Sequence, residues 1–162
     1  MGGGLVLDGR LWSGSQGIAG EWGHATVNPE GPACYCGRRG CQELYLSGTG
    51  IQRMYRERTG SDLGVQQIFG ASQEGSDADA VQVMEIFLET FGQALGNLVM
   101  SLDPDVIVIG GGVSNLPILY EQGLYRVSAQ VFQGRQKIRI VQNHLGDSSG
   151  VYGAAAAAGT TV

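Results

Sequence analysis

The sequence predicts a globular α/β protein, and three features of its 162 residues carry that reading. An unbroken apolar run, Val106 to Ile109, leaves a turn at Asp103-Pro104-Asp105 and enters Gly110-Gly111-Gly112, the pattern of a strand covered on both faces. Between Asp77 and Met100 the residues Val81, Met84, Phe87, Leu88, Phe91, Leu95, Leu98 and Val99 recur at spacings of three and four, which is the stripe of a buried helix. The 28 glycines are dispersed among apolar runs with no collagen-like period, so they read as turns and close approaches. Length and a hydrophobic share of 43% suit one ordinary core in a single domain.

The elements follow in order. Leu5 to Leu7 and Leu11 to Trp12 flank Asp8-Gly9, the two-residue signature of a type I′ hairpin. A hairpin edge preceded only by Met1 and three glycines implies further sequence upstream, because it exposes unpaired strand groups. Residues 13 to 23 are polar and glycine-rich, and His-Ala-Thr-Val-Asn from His24 reads as a short strand. Glu43 to Leu46 and Ile51 to Arg58 suit short helices, the second with Ile51, Met54 and Tyr55 on one face. Asp77 and Asp79 place negative charge at the start of the long helix, where the helix dipole favours it. After the Val106 to Ile109 strand, a helix is expected from Pro117 and a second strand at Ile138 to Val141. The small-residue tail Gly150 to Gly159 is expected to be helical and closely packed.

Charge narrows the function. A net charge of -5 argues against a surface for the phosphate backbone of nucleic acids, which needs clustered Lys and Arg, and leaves a small-molecule ligand as the better expectation. No apolar run approaches the ~20 residues of a membrane span, and no basic n-region followed by an apolar h-region opens the chain, so a cytoplasmic location is expected.

All three cysteines fall within Cys-Tyr-Cys-Gly-Arg-Arg-Gly-Cys, residues 34 to 41. An odd number on so short a loop cannot staple a fold. With His24 they form a set of one imidazole and three thiols, His24, Cys34, Cys36 and Cys41, the ligand types and number of a closed tetrahedral zinc site. Gly37 and Gly40 allow the backbone to curl around an ion, and Arg38 and Arg39 would partly compensate thiolate charge. The alternative is a reduced, exposed cysteine loop in which His24 fills a polar niche.

The stretch from Gly20 to Gly48, GEWGHATVNPEGPACYCGRRGCQELYLSG, resembles the signature of the ROK family of bacterial sugar kinases and repressors, which joins an E-x-G-H element to CxCGxxGCxE. The resemblance extends along the chain. Gly2, Gly3 and Gly4 resemble the end of the family's G-T-G-x-G-G-G phosphate loop, and VIVIGGGVSN resembles its adenosine-side motif. YLSG and GGGVSN are most similar to the branch of bacterial N-acetylglucosamine kinases and fructokinases or mannokinases.

This resemblance implies an actin/Hsp70-like fold of two RNase H-like α/β domains, of which residues 1–162 would be the carboxy-terminal one, with an inserted zinc loop at 24–43. The family's D-x-G-G-T loop and the N-D pair whose aspartate acts as general base have no match here, so no catalytic residue is expected in this chain. By the same resemblance Glu21, His24 and Glu43 would bind sugar hydroxyls. His24 would serve zinc with one ring nitrogen and sugar with the other, the ion being structural, without an open position. Gly110, Gly111 and Gly112, with Gly2 to Gly4, would contact the nucleotide. The implied activity is ATP-dependent, Mg²⁺-assisted phosphorylation of a hexose or N-acetylhexosamine by a homodimer. The alternatives are the sugar-sensing domain of a ROK transcriptional repressor, which would add nucleic acid as a partner, and a free-standing binding module.

Overall fold

A computed structural model describes residues 1–132 and 137–146, together with Gly150 and Gly153. The chain divides into two compact units, Met1–Thr90 and Phe91–Val162, the division falling inside one long helix.

The first unit opens with the expected hairpin. Strand β1 (Leu5–Leu7) pairs antiparallel with β2 (Arg10–Trp12) in the register Leu5 to Trp12, Val6 to Leu11 and Leu7 to Arg10. Asp8 and Gly9 both take positive φ, 51° and 74°, as a type I′ turn demands. A single 3-10 turn, Trp22–His24, follows the glycine-rich segment. The expected His24 to Asn28 strand does not form. His24 belongs to that turn, and Thr26 makes only an isolated bridge to Cys41. The backbone groups here are drawn instead into the cysteine loop, with Val27 N–H donating to the Gly40 carbonyl (2.9 Å) and Gln42 N–H to Ala25 (2.9 Å).

Helices complete this unit. α1 (Glu43–Leu46) leads through Ser47 into α2 (Gly48–Thr59), whose N-cap is the Ser47 hydroxyl, accepting from Gly50 N–H at 3.0 Å. Gly60, in the left-handed region at φ 74°, ends α2. α3 (Val65–Glu74) was not expected from the sequence: only Ile68 is fully buried in it, too thin a stripe to register as a period. α4 (Ala78–Leu102) is the long helix. Asp77 caps it, its Oδ1 accepting from the N–H groups of Asp79 (2.9 Å) and Ala80 (3.1 Å). Ile51, Met54 and Tyr55 of α2 and Met84 and Phe87 of α4 are buried as expected, and Ile68 of α3 and Ala80 and Val83 of α4 join them. Val81 is the exception to the expected stripe: at 43% exposure it lies outside it, and Ala80 and Val83 take the inward positions.

In the second unit the latter half of α4 packs beside α5 (Gln122–Gln130). Side chains at Gly92 and Gly96 would run into Arg126 and Gln130, so these glycines set how closely the helices approach. Strand β3 (Ile107–Ile109) pairs in parallel with β4 (Ile140–Gln142), Ile107 opposite Ile140. Cover on both faces of β3 is not observed. Val108 is 58% exposed, because Ile107 and Ile109 alternate inward and nothing among the described residues covers the opposite face. The helix expected from Pro117 begins as a 3-10 turn, Pro117–Leu119, and becomes α-helical only at Gln122. The helical tail expectation falls outside the described residues, except at Gly150 and Gly153, which are helical. No helix among the described residues is long and apolar enough to cross a membrane.

Candidate sugar and metal site

The cysteine loop is tied to itself by backbone hydrogen bonds. Cys34 N–H donates to the Arg38 carbonyl (2.8 Å), Gly37 N–H to Cys34 (3.0 Å) and Gly40 N–H to Pro32 (2.8 Å), with a bridge between Ala33 and Arg39. Gly40 takes φ 59°, and a side chain there would overlap the Asn28 carbonyl, so no other residue closes this loop without displacing its neighbour. These constraints carry the side chains of residues 34, 36 and 41 toward His24.

The ligand atoms of His24, Cys34, Cys36 and Cys41 all lie within 4.8 Å of one another. Cys36 Sγ is 3.5 Å from Cys41 Sγ, and Cys34 Sγ is 3.7 Å from His24 Nδ1. Tetrahedral ligation with zinc–sulfur bonds of about 2.3 Å separates neighbouring sulfurs by about 3.8 Å, so these contacts fit one central ion. All three cysteines are free. The donor set is therefore compatible with zinc. Arg38 lies beside the cluster, its guanidinium donating at 3.2 Å to the same His24 carbonyl that stands 3.6 Å from Cys41 Sγ.

The three thiols differ. Cys36 is lowered to about 7, first by the N–H of Arg38 and then by the neighbouring thiols and His24, against some desolvation by the atoms around it. Cys41 is pushed up to about 12 by burial and by the other two thiols. Cys34 is also raised: the N–H of Cys36 favours its thiolate, but burial and the side chains of Cys36 and Glu43 outweigh it. A bound divalent metal would override this order, since a coordinating thiol is deprotonated outright.

Two carboxylates border the cluster. Glu21 immediately precedes the 3-10 turn that carries His24, and its Oε2 stands 4.0 Å from His24 Nε2. Glu43 opens α1, with Oε1 3.6 Å from His24 Nδ1 and 3.3 Å from Cys34 Sγ. Glu43 is the more enclosed, its side chain 12% exposed against 56% for Glu21. Burial works to raise the Glu43 carboxyl, but the Met1 ammonium at 3.1 Å, the Cys34 thiol and His24 together hold it below the usual carboxylate range. The site thus offers two hydrogen-bond acceptors on either side of one imidazole.

Sequence reasoning missed one participant. Tyr35 places its hydroxyl 2.9 Å from His24 Nε2. A tyrosine carries no metal or sugar signal by itself.

The glycine turn belongs to the second unit. Gly111 has φ 77°, and open space lies where side chains at Gly111 and Gly112 would project. The turn is held by polar contacts that no motif announced: Asn143 N–H donates to the Ile109 carbonyl at 2.9 Å, its side-chain amide reaches Ser114 Oγ at 3.3 Å, and the Ser114 hydroxyl donates to Gly111 at 2.7 Å. Gly3 of the amino-terminal glycines is crowded by Trp22 and the Gly20 carbonyl, whereas Gly2 has open space beside it.

The model of the ROK family matches residues 1–160. This chain belongs to the ROK family. It is 40% identical to the N-acetyl-D-glucosamine kinase of Pasteurella multocida over 167 residues, covering 96% of this chain and 55% of that protein. Among solved structures it is similar to a ROK hexokinase from Thermus thermophilus, with a TM-score of 0.83 and 35% identity over 95% of this chain and 52% of the other. A ROK family glucokinase from Streptomyces griseus, in complex with glucose and AMPPNP, gives the same TM-score of 0.83 at 28% identity, covering 96% of this chain and 56% of that one. These neighbours bear out the expected actin/Hsp70/sugar-kinase fold. The chain spans about half the length of the relatives it matches.

Proposed function

We propose that residues 1–162 form the carboxy-terminal, sugar- and nucleotide-binding half of an ATP-dependent kinase acting on a hexose or N-acetylhexosamine. The observation that carries this reading is the convergence of Glu21 and Glu43 on the two nitrogens of His24, at 4.0 and 3.6 Å, inside a ROK family chain. Carboxylates accept hydrogen bonds from sugar hydroxyls and orient the ring, and orientation dominates phosphoryl transfer. The likeness to kinases named for N-acetyl-D-glucosamine, and to a glucokinase holding glucose and AMPPNP, supports that substrate class.

In this reading Glu21, His24 and Glu43 hold the sugar. His24, Cys34, Cys36 and Cys41 would hold a structural zinc ion, which would keep the loop and the imidazole in shape. Gly110 to Gly112 let a nucleotide lie against backbone, the open space beside Gly111 and Gly112 being the support for it. Gly2 to Gly4 would border the phosphates, with Gly2 and Gly4 the better placed because Gly3 is packed against Trp22. Mg²⁺ would accompany ATP and neutralise phosphate charge. The general base lies outside this chain, in the part of the relatives' length that the chain does not span. A cytoplasmic homodimer completes the proposal.

The test is a coupled assay with ATP, Mg²⁺ and a panel of glucose, fructose, mannose, N-acetylglucosamine and N-acetylmannosamine, run on this chain and on a protein extended by the upstream half. Turnover by the extended protein alone is the expected result. An extended protein that binds operator DNA and phosphorylates none of these sugars would be a ROK repressor instead.

A further inference from the structure

Tyr35 sits between two of the candidate metal ligands, and its side chain is 84% exposed. Hydrophobic burial therefore does not account for its position. Its ring meets the His24 imidazole edge to face, centroids 5.1 Å apart and planes at 89°, and its hydroxyl lies 2.9 Å from Nε2. That is a full hydrogen bond.

The other contacts to the imidazole are longer. Glu21 Oε2 stands 4.0 Å from Nε2 and Glu43 Oε1 3.6 Å from Nδ1, both beyond hydrogen-bond length. Glu43 is engaged elsewhere, by the Met1 ammonium on Oε2 and the Cys34 thiol on Oε1. Nδ1 faces Cys34 Sγ at 3.7 Å and thus points into the sulfur cluster. A neutral imidazole has one proton. If Nδ1 lends its lone pair to an ion, the proton must reside on Nε2 and needs an acceptor there.

We infer that in the sugar-free chain Tyr35 is that acceptor, a positioning residue that holds His24 in the Nε2–H tautomer and so presents Nδ1 to a metal ion bound by Cys34, Cys36 and Cys41, a bound sugar hydroxyl taking its place on Nε2. The inference rests on the zinc reading proposed above and extends it to a residue that is neither a ligand nor a carboxylate. It also gives the Cys-Tyr-Cys triplet one logic, since the loop that supplies two thiols supplies the group that orients the fourth ligand.

The experiment compares the purified chain with Tyr35→Phe, which keeps the ring and removes only the hydroxyl. Because the ring is exposed, the variant retains the fold, checked by its circular dichroism. Zinc affinity is measured by competition with a chromophoric chelator, and the His24 ring by 15N-edited NMR of the zinc-loaded chain. The sequence has two histidines, His24 and His144, so the imidazole signals are readily resolved. The expected result is a zinc affinity roughly 10–100-fold weaker in Tyr35→Phe, with a shifted and faster-exchanging Nε2–H of His24. Affinities within about twofold of each other, or an unaltered Nε2–H signal, overturn the role of Tyr35 while leaving the zinc site standing. Failure of the unsubstituted chain to bind zinc overturns both.

Discussion

Oε1 of Glu43 lies 3.3 Å from the sulfur of Cys34, so the acceptor proposed for sugar and the cluster proposed for metal share a wall. Whatever fixes the cysteine loop also fixes one side of the sugar clamp. The metal's contribution would then be structural, through shape, with chemistry left to groups outside this chain.

Replacement of Cys36 by Ser tests that dependence. Cys36 is the exposed member of the cluster, so its loss removes a ligand with little effect on packing. The chain is expected to contain about one zinc, and Cys36→Ser to contain far less and to melt at a lower temperature, because metal-binding energy here is folding energy. Elemental analysis and calorimetry measure both. Metal-replete, reduced protein without zinc would return the cysteines to an ordinary thiol loop.

Much of this was legible before the structure, and the exceptions have physical causes. The Asp8-Gly9 hairpin was readable because a two-residue turn with positive φ at both positions admits few residues. The cysteine cluster was readable because four metal-ligating side chains, one His and three Cys, within eighteen residues have few other uses. The His24 to Asn28 strand misled because strand propensity says nothing about where backbone groups find partners, and here they pair with residues 40 to 42. Val81 misled because a spacing of three from Met84 fits a helix face as well as the true inward position at Ala80 does. Tyr35 was invisible, since a hydroxyl aimed at an imidazole leaves no periodicity.

Glu21→Gln and Glu43→Gln, made in a protein extended to the length of its relatives, probe the clamp. Each is expected to lower kcat/KM for the sugar by roughly 5–150-fold, the equivalent of about 1–3 kcal/mol for a carboxylate lost to a substrate hydroxyl. Zinc content should not change. The loss should be larger for the more enclosed Glu43. Unchanged kinetics in both variants would make these residues ordinary surface carboxylates.

Asp77 predicts a pH dependence of stability. The Tyr55 hydroxyl donates to its Oδ2 at 2.6 Å and the N–H groups of Ala80 and Asp79 to Oδ1, which hold the carboxyl below its usual value of 3.8. A carboxyl lowered in the folded state stabilises the fold above its ordinary range, and this contribution disappears as pH falls through the folded value. Asp77→Ala is therefore expected to melt a few degrees below the unsubstituted chain at pH 7, with the gap narrowing below about pH 4. A gap independent of pH between 7 and 3 would show that the carboxylate charge is not what matters.

Gly96 and Gly70 lie inside helices, α4 and α3, where alanine is intrinsically better by about 1 kcal/mol. Their surroundings set them apart. A Cβ at Gly70 meets nothing within 4 Å, so Gly70→Ala should stabilise the chain by about 0.5–1 kcal/mol through helix propensity and a less disordered unfolded state. At Gly96 a Cβ would press on the Cβ of Gln130 in α5, backbone-fixed and unable to swing away. There the cost of overpacking, typically 1–3 kcal/mol, exceeds the propensity gain, and Gly96→Ala should destabilise. Urea denaturation of the two variants measures both signs. If Gly96→Ala proved as stabilising as Gly70→Ala, the close approach of α4 and α5 would not persist in solution, and Gly96 would have no packing reason to be glycine.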